Sequence, residues 1–247
     1  MNKEHLYKIK KYEKEFEISI PKDKHIIIRI DGHKFSKLSK KYFNKPFDED
    51  FSNTMIKAME AVFEEFQASF GYTQSDEITI IIPENGLKKG YTHPYNGRVQ
   101  KIASLSASLA SIKFNKEINK LKNKKIDAWF DARVFSVPNL KIVDVIAERK
   151  RDAIRNSKSM FARAFASHNE LLNKFAEEQI QYVKEKYNKD WNDIDDKFKY
   201  GTFIKKEQVL KNSVLKTKNI ILPLKNYVTY SLIVSKYFDK NEISEKL

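Results

Sequence analysis

Short apolar runs that each abut a carboxylate constrain this chain more than any other feature. His25 to Ile30 reads His-Ile-Ile-Ile-Arg-Ile, a β-branched run with the length of a buried strand, and it stops at Asp31-Gly32. Phe70 to Gln74 and Ile78 to Ile82 are two further strand-like runs separated only by Ser75-Asp76-Glu77, which predicts a hairpin with two acids at its tip. Pro83 and Gly86 close it. Between the first strand and the hairpin, Asp48 to Phe66 carries Phe51, Met55, Met59, Val62 and Phe66 at helical spacing. Asp48, Glu49 and Asp50 stand in its first turn, where the helix dipole favours anions.

Val99 to Phe114 predicts a helix with Ile102, Leu105, Leu109 and Ile112 on one face, interleaved with Ala and Ser residues small enough to lie close to a sheet. Asp127 to Val137 reads as a strand with Asp131, Arg133 and Phe135 on one side. A helical tract follows from about Val143 to Ala166. Ser167-His168-Asn169-Glu170 then matches a capping box opening a helix towards Leu172 and Phe175 that runs to about Tyr187. Gly201 to Val209 and Asn219 to Leu224 read as short late strands. The order strand, helix, hairpin, helix, strand predicts an α+β fold of the split βαβ, or ferredoxin-like, kind: an antiparallel sheet with helices on one face, as in a polymerase palm, followed by a helical C-terminal extension. We divide the chain into a palm-like catalytic core over 1–140 and a helical extension with short late strands over 141–247, integrated with the core.

Composition narrows the chemistry. The absence of cysteine excludes disulfides, thiolate metal sites and cysteine nucleophiles. The five histidines lack metal-ligand spacing, and there is no Gly-x-Ser-x-Gly elbow, so carboxylates and lysines are left to act. No apolar run approaches the roughly 20 residues of a membrane helix, and charged sequence follows Met1, from which we read a cytoplasmic protein with no membrane partner. The formal charge is +14, from 47 Lys and Arg against 33 Asp and Glu, and the excess is clustered in Lys120 to Lys125, Glu148 to Arg163 and Lys197 to Lys218. Such clusters attract phosphate backbones by counterion release, although a lysine-rich solubilising surface has the same composition.

In a split βαβ sheet the first strand lies beside the hairpin, which brings Asp31 towards Asp76 and Glu77. Acids converging on one sheet edge repel one another unless cations lie between them, and hard oxygen ligands select magnesium over zinc. Asp-Gly after a strand is also a common turn, and Ser-Asp-Glu is ordinary hairpin sequence, so the residues alone leave the metal site and the plain turn both open. Backbone N–H groups of Gly32-His33-Lys34-Phe35-Ser36 suit phosphate cradling, and Lys45, Arg98 and Lys101 suit a triphosphate clamp, although no Walker-type loop is present.

The chain resembles the tRNA-histidine guanylyltransferases, especially their bacterial and archaeal guanylyltransferase-like relatives, the 3′-to-5′ RNA polymerases. Ile28-Arg29-Ile30-Asp31-Gly32-His33-Lys34-Phe35 is similar to the family's opening strand and metal turn, and Lys45-Pro46-Phe47-Asp48 to its Lys-Pro-x-Asp segment. Gly71-Tyr72-Thr73-Gln74-Ser75-Asp76-Glu77-Ile78 resembles its Tyr-x-Gln-Ser-Asp-Glu hairpin. Segments at Val99 to Ser104, Phe130 to Phe135, Asp152 to Ser157 and Gly201-Thr202 follow in family order, over roughly residues 20 to 206.

That resemblance implies two magnesium ions on Asp31, the Gly32 carbonyl and Asp76, with Asp31, Asp76 and Glu77 catalytic. It implies nucleotide contacts by Gly32, His33, Lys34, Phe35, Lys45, Ser75, Arg98 and Lys101, and RNA contacts by Arg133, Arg151, Arg155, Asn156 and Lys199. The reaction it implies is activation of an RNA 5′-phosphate by ATP or GTP, then attack by the 3′-hydroxyl of an incoming nucleotide, in a homotetramer acting on tRNA or tRNA-like RNA. Ala153-Ile154-Arg155-Asn156 replaces the eukaryotic His-Ile-Asn-Asn, and Glu148-Arg149-Lys150 replaces the Trp-Arg-Gln usual in the bacterial branch. These departures favour templated 5′-end repair over guanylylation of histidine tRNA. Alternatives are a tRNA-histidine guanylyltransferase proper, another palm chemistry such as nucleotide cyclisation or forward polymerisation, and a non-catalytic RNA-binding protein.

Overall fold

Strand β1 (Ile26–Gly32) runs antiparallel between β3 (Glu77–Ile82) and β4 (Phe130–Phe135), pairing Ile30 with Ile78 on one side and with Ala132 on the other. The computed structural model describes residues 10–84, 92–138, 141–211 and 214–224; Gly86 and the last 23 residues of the C-terminal span lie outside them. Strand β2 (Phe70–Gln74) pairs with β3 across the predicted hairpin and, along its other edge, with β5 (Thr202–Lys211). Strand β5 turns back into β6 (Val214–Pro223), giving a six-stranded antiparallel sheet in the order β4-β1-β3-β2-β5-β6. The late strands are therefore ten residues each, longer than their sequence pattern suggests, and they complete the same sheet.

Helix α1 (Phe35–Tyr42) follows β1. Helices α2 (Glu49–Glu65) and α3 (Val99–Lys122) cover the sheet face formed by Ile26, Ile28, Ile30, Ile78, Ile80 and Ile82, as the split βαβ pattern requires. Burying each of these isoleucines contributes about 1.5–3 kcal/mol, and a one-residue slip would turn all of them to the wrong face, so the register of β1 on β3 is strongly fixed. Asp48 caps α2 by accepting from Phe51 N at 2.9 Å and from Asn44 N at 2.9 Å.

The face of α3 differs from the expected one. Ile102, Ser106, Ala110, Phe114 and Ile118 are buried, whereas Leu105 and Ile112 are exposed. The buried face mixes small side chains with bulky ones, and Leu105 and Ile112 are left outside.

The opposite sheet face presents Ile27, Phe70, Tyr72, Ile81 and Phe203 to α4 (Ile142–Phe165), which packs on it through Ile142, Val145, Ile146 and Ala153. The capping box at Ser167 and Glu170 forms, but it opens only the four-residue α5 (His168–Leu171). Phe175 N donates to Glu178 Oε2 at 2.6 Å at the start of α6 (Ala176–Tyr187), so the single expected helix is two, and Leu172 and Phe175 between them are exposed. The short α7 (Asp196–Tyr200) leads into β5. No helix of the described residues is long and apolar enough to cross a membrane.

Candidate active site

Because β1 pairs with β3 and β4 at once, Asp31 is flanked in register by Glu77 and Asp131, a row of three carboxylates across the sheet. Asp76 lies in the turn beside them. Gly32 N donates to Asp76 O at 3.1 Å, which ties the end of β1 to the hairpin tip. Ser75 holds a left-handed φ of 54°, and its hydroxyl donates to Asp76 Oδ1 at 3.0 Å. A non-glycine residue in that region costs free energy that the surrounding contacts must offset, and such strain gathers at functional turns.

The three neighbouring acids are in different electrostatic situations. Glu77 is neutralised: Arg149 Nη1 donates to its Oε1 at 2.9 Å, and Arg29 Nε lies 3.4 Å away. Asp31 and Asp76 make no ion pair with any described residue. Burial, followed by the charges of Asp76, Glu77 and Asp131, raises the Asp31 pKa, with Arg133 opposing. Burial is also the main reason that the Asp76 pKa is raised, against the hydrogen bonds it accepts. Two carboxylates that disfavour their own ionisation are arranged for a cation.

Among the described residues no three His, Cys, Asp or Glu side chains are grouped to hold a metal.

Two depressions meet at Asp76. One, of about 340 Å³, is lined by Phe35, Phe43, Lys45, Phe47, Ser75 and Asp76, with Phe198 stacked on Phe47 at 5.0 Å between ring centroids. Its volume and aromatic walls suit a nucleoside. The other, of about 410 Å³, is shared by Gln74 to Glu77 and by Arg155, Asn156 and Arg163 of α4. Its helical wall is basic and its hairpin wall acidic.

The structure brings Asp31, Gly32, Phe35, Lys45, Ser75, Asp76, Glu77, Arg155 and Asn156 together; His33, Lys34 and Arg133 line neither depression, and Arg98, Lys101, Arg151 and Lys199 stand apart. Arg98 and Lys101 line a separate depression with Lys10, Lys14 and Glu17, where Arg98 Nε lies 3.4 Å from Glu17, so within one chain the expected clamp retains only Lys45. Lys199 is buried: its ammonium donates to Asn192 O at 2.8 Å and lies 3.1 Å from Asp196, which corrects its reading as an RNA-facing charge. Arg151 is exposed on α4 away from both depressions, and Arg133 is exposed on β4 opposite Arg29. Two of the N–H groups expected to cradle phosphate are spent, Gly32 N on Asp76 O and His33 N on Trp129 O at 2.9 Å. Lys34 is exposed at the start of α1 with φ 57°.

Sequence reasoning missed Arg149 as the partner of Glu77 and Arg163 as a groove residue. Asp131 had a visible signal, since alternation along β4 puts it on the face of Asp31.

A palm sheet with acids at this edge fits the class of nucleotidyltransferases, and comparison with known proteins places the chain in it. Residues 6–138 match the family model described as Thg1, tRNAHis guanylyltransferase. The chain belongs to that family, as its ordered motifs led us to expect. An uncharacterised protein of Acanthamoeba polyphaga mimivirus is 30% identical over 268 residues, covering 96% of this chain and 91% of its own. A probable tRNA(His) guanylyltransferase of Drosophila melanogaster is 28% identical, covering 81% and 72% respectively. A solved bacterial tRNA(His) guanylyltransferase-like protein in complex with ATP superposes with a TM-score of 0.83 at 29% identity, covering 93% of this chain and 96% of that one. The complex of such a bacterial protein with GTP gives 0.78 at 28% identity, covering 95% and 98%.

Proposed function

We propose that this protein adds nucleotides to the 5′ end of tRNA or tRNA-like RNA in the 3′-to-5′ direction, as templated 5′-end repair following activation of the 5′-phosphate by ATP or GTP. The observation that carries this reading is the placement of Asp76 at the lip between an aromatic cleft of nucleoside size and a groove walled by Arg155 and Arg163, with Asp31 close by and neither acid ion-paired to a described residue. The ATP and GTP complexes of the bacterial relatives support a nucleoside triphosphate as the occupant of the cleft.

In this reading the cleft holds the base and sugar against Phe47 and Phe198, and Lys45 meets the phosphates. Arg155, Asn156 and Arg163 hold the RNA so that its 5′ end reaches Asp76 from the other side. The fixed turn at Ser75 and Gly32 orients the two carboxylates before substrate arrives, which removes reorganisation from the reacting step. Asp31 and Asp76 would hold two magnesium ions, which when bound lower the pKa of an attacking hydroxyl and neutralise a departing phosphate. Glu77, held by Arg149, orients the neighbouring Asp76. We infer the cytoplasm as the site of action and a homotetramer as the assembly.

The test incubates the protein with magnesium, nucleoside triphosphates and a 5′-monophosphorylated tRNA lacking its first nucleotide. Lengthening at the 5′ end is expected; its absence overturns the proposal. A preference for intact histidine tRNA over the truncated RNA would identify a guanylyltransferase proper.

A further inference from the structure

Trp129 stands outside the core in a chain whose other tryptophan is buried: it is 55% exposed, and Trp191 is 6% exposed. The segment that carries it is firmly placed. Ile126 N donates to Asn119 Oδ1 at 2.7 Å, Ala128 N to Asn115 Oδ1 at 2.9 Å, and Phe130 N to Ser111 Oγ at 3.0 Å. This ladder along α3 buries Ile126, Ala128 and Phe130 and turns the alternate residues, Trp129 among them, outwards. On one side the indole stacks on the imidazole of His33, with centroids 5.5 Å apart and planes 20° from parallel, and His33 N donates to Trp129 O at 2.9 Å. His33 follows Asp31-Gly32 directly, and Gly32 pairs with Phe130, so the stacked rings stand at the end of β1 beside the acids.

We propose that His33 and Trp129 form a stacking platform for an unpaired nucleobase of the RNA, immediately outside the acidic turn. The inference rests on the RNA reading above. A rigid aromatic pair is suited to base stacking, which needs a π-face and little ordering of the protein on binding. Exposed Lys34 follows His33 directly and exposed Lys37 lies a turn further on, which offers a nucleic-acid backbone positive charge on the His33 side, opposite the exposed Asp127 and Asp131 that flank Trp129. Neither His33 nor Trp129 lines the cleft proposed for the nucleoside triphosphate, so the platform is left to the RNA.

Intrinsic fluorescence tests this at equilibrium, without turnover. The wild type and Trp129→Leu are titrated with a 5′-monophosphorylated RNA hairpin carrying unpaired terminal nucleotides, and with the same RNA made abasic at those positions. Trp129 emission, read as the difference between the two proteins, is quenched by the first RNA and not by the second. Trp129→Leu weakens binding of the first RNA about tenfold, raising its KM without changing kcat at saturation, and Trp129→Phe recovers most of the loss.

Equal quenching by both RNAs, equal RNA affinity of the wild type and Trp129→Leu, or shielding of Trp129 from acrylamide in the free protein would overturn the platform. The last result would mean that another copy of the chain covers it. A wild type whose Trp129 is quenched but which fails to extend RNA would lose the proposed function and keep the platform; one that extends RNA identically after Trp129→Leu would lose only the platform.

Discussion

Arg149 Nη1 lies 2.9 Å from Glu77 Oε1, and Nη2 of the same guanidinium lies 2.9 Å from Asp152, so one side chain on α4 clamps the acid that follows Asp76. The clamp joins the helix that walls the groove to the strand that ends at the acidic turn. It also cancels the charge of Glu77, which would otherwise add fully to the repulsion between Asp31 and Asp76.

Removing one partner from this half-buried pair leaves the other charge uncompensated. Arg149→Met should destabilise the protein by about 1–3 kcal/mol, and the effect should shrink when Glu77→Gln is already present. Urea denaturation of the two single variants and the double variant reads the coupling. Strict additivity would show that the bond contributes nothing.

The unpaired acids make a prediction of opposite sign. Asp31 and Asp76 have folded pKa values above the usual 3.8, through burial first and neighbouring carboxylates after it. A carboxylate whose pKa is raised on folding penalises the folded state once the unfolded chain ionises and the folded one still holds its proton, and the penalty is complete above the raised value. Stability is therefore unpenalised below the unfolded value and is lost as pH rises from about 3.8 through the raised values. At pH 7.5 without magnesium, Asp76→Asn should melt about 2–4 °C above the wild type, the shift that roughly 1 kcal/mol produces in a chain of this size. Saturating magnesium should close or reverse the gap, and the same substitution should lower kcat by about a hundredfold or more. Identical melting of the two metal-free proteins at pH 7.5 would count against a charge-strained site.

Gly32 is where packing and site meet. A methyl group added to it would come within 2.4 Å of the Phe35 ring, which is fully buried against Phe51, Phe114 and Phe130. The ring is packed on three phenyl rings and can give way only towards the cleft, so Gly32→Ala should cost about 1–3 kcal/mol. Because Phe35 also lines the nucleotide cleft, ATP affinity should fall with it. Denaturation and equilibrium nucleotide binding check the two effects separately, and an unchanged midpoint would show that the ring can shift.

Much of this architecture was legible because it follows from local periodicity. The β-branched runs Ile26 to Ile30 and Ile78 to Ile82 identified β1 and β3, and their pairing placed Asp31 beside Glu77. What escaped depended on tertiary context. The buried face of α3 was misread because bulk was taken as the sign of burial, whereas Ser106 and Ala110 face the sheet and Ile112 faces water. Lys199 looks like a surface charge in sequence, yet Asn192 O, Asp196 and the rings of Trp191 and Tyr200 surround its ammonium. The separation of Arg98 and Lys101 from Lys45 is equally invisible in a motif list, since it depends on where α3 begins relative to the hairpin.

The basic residues of α4 divide by position in a way that binding can read. Arg163 lines the groove beside Ser75 and Asp76, whereas Arg151, twelve positions earlier on the same helix, lines neither depression. If RNA follows the groove, Arg163 neutralises a phosphate and releases its counterion on binding. Arg163→Ala should then weaken RNA binding for every sequence tested and reduce the slope of log affinity against log salt by about 0.7–0.9. Arg151→Ala removes the same charge and changes the overall field equally, so it controls for long-range attraction; it should leave the slope unaltered. Affinity measured between about 50 and 200 mM salt separates the two variants. Equal slopes for Arg163→Ala and Arg151→Ala would mean that the RNA is held by net charge and not by the groove at Asp76.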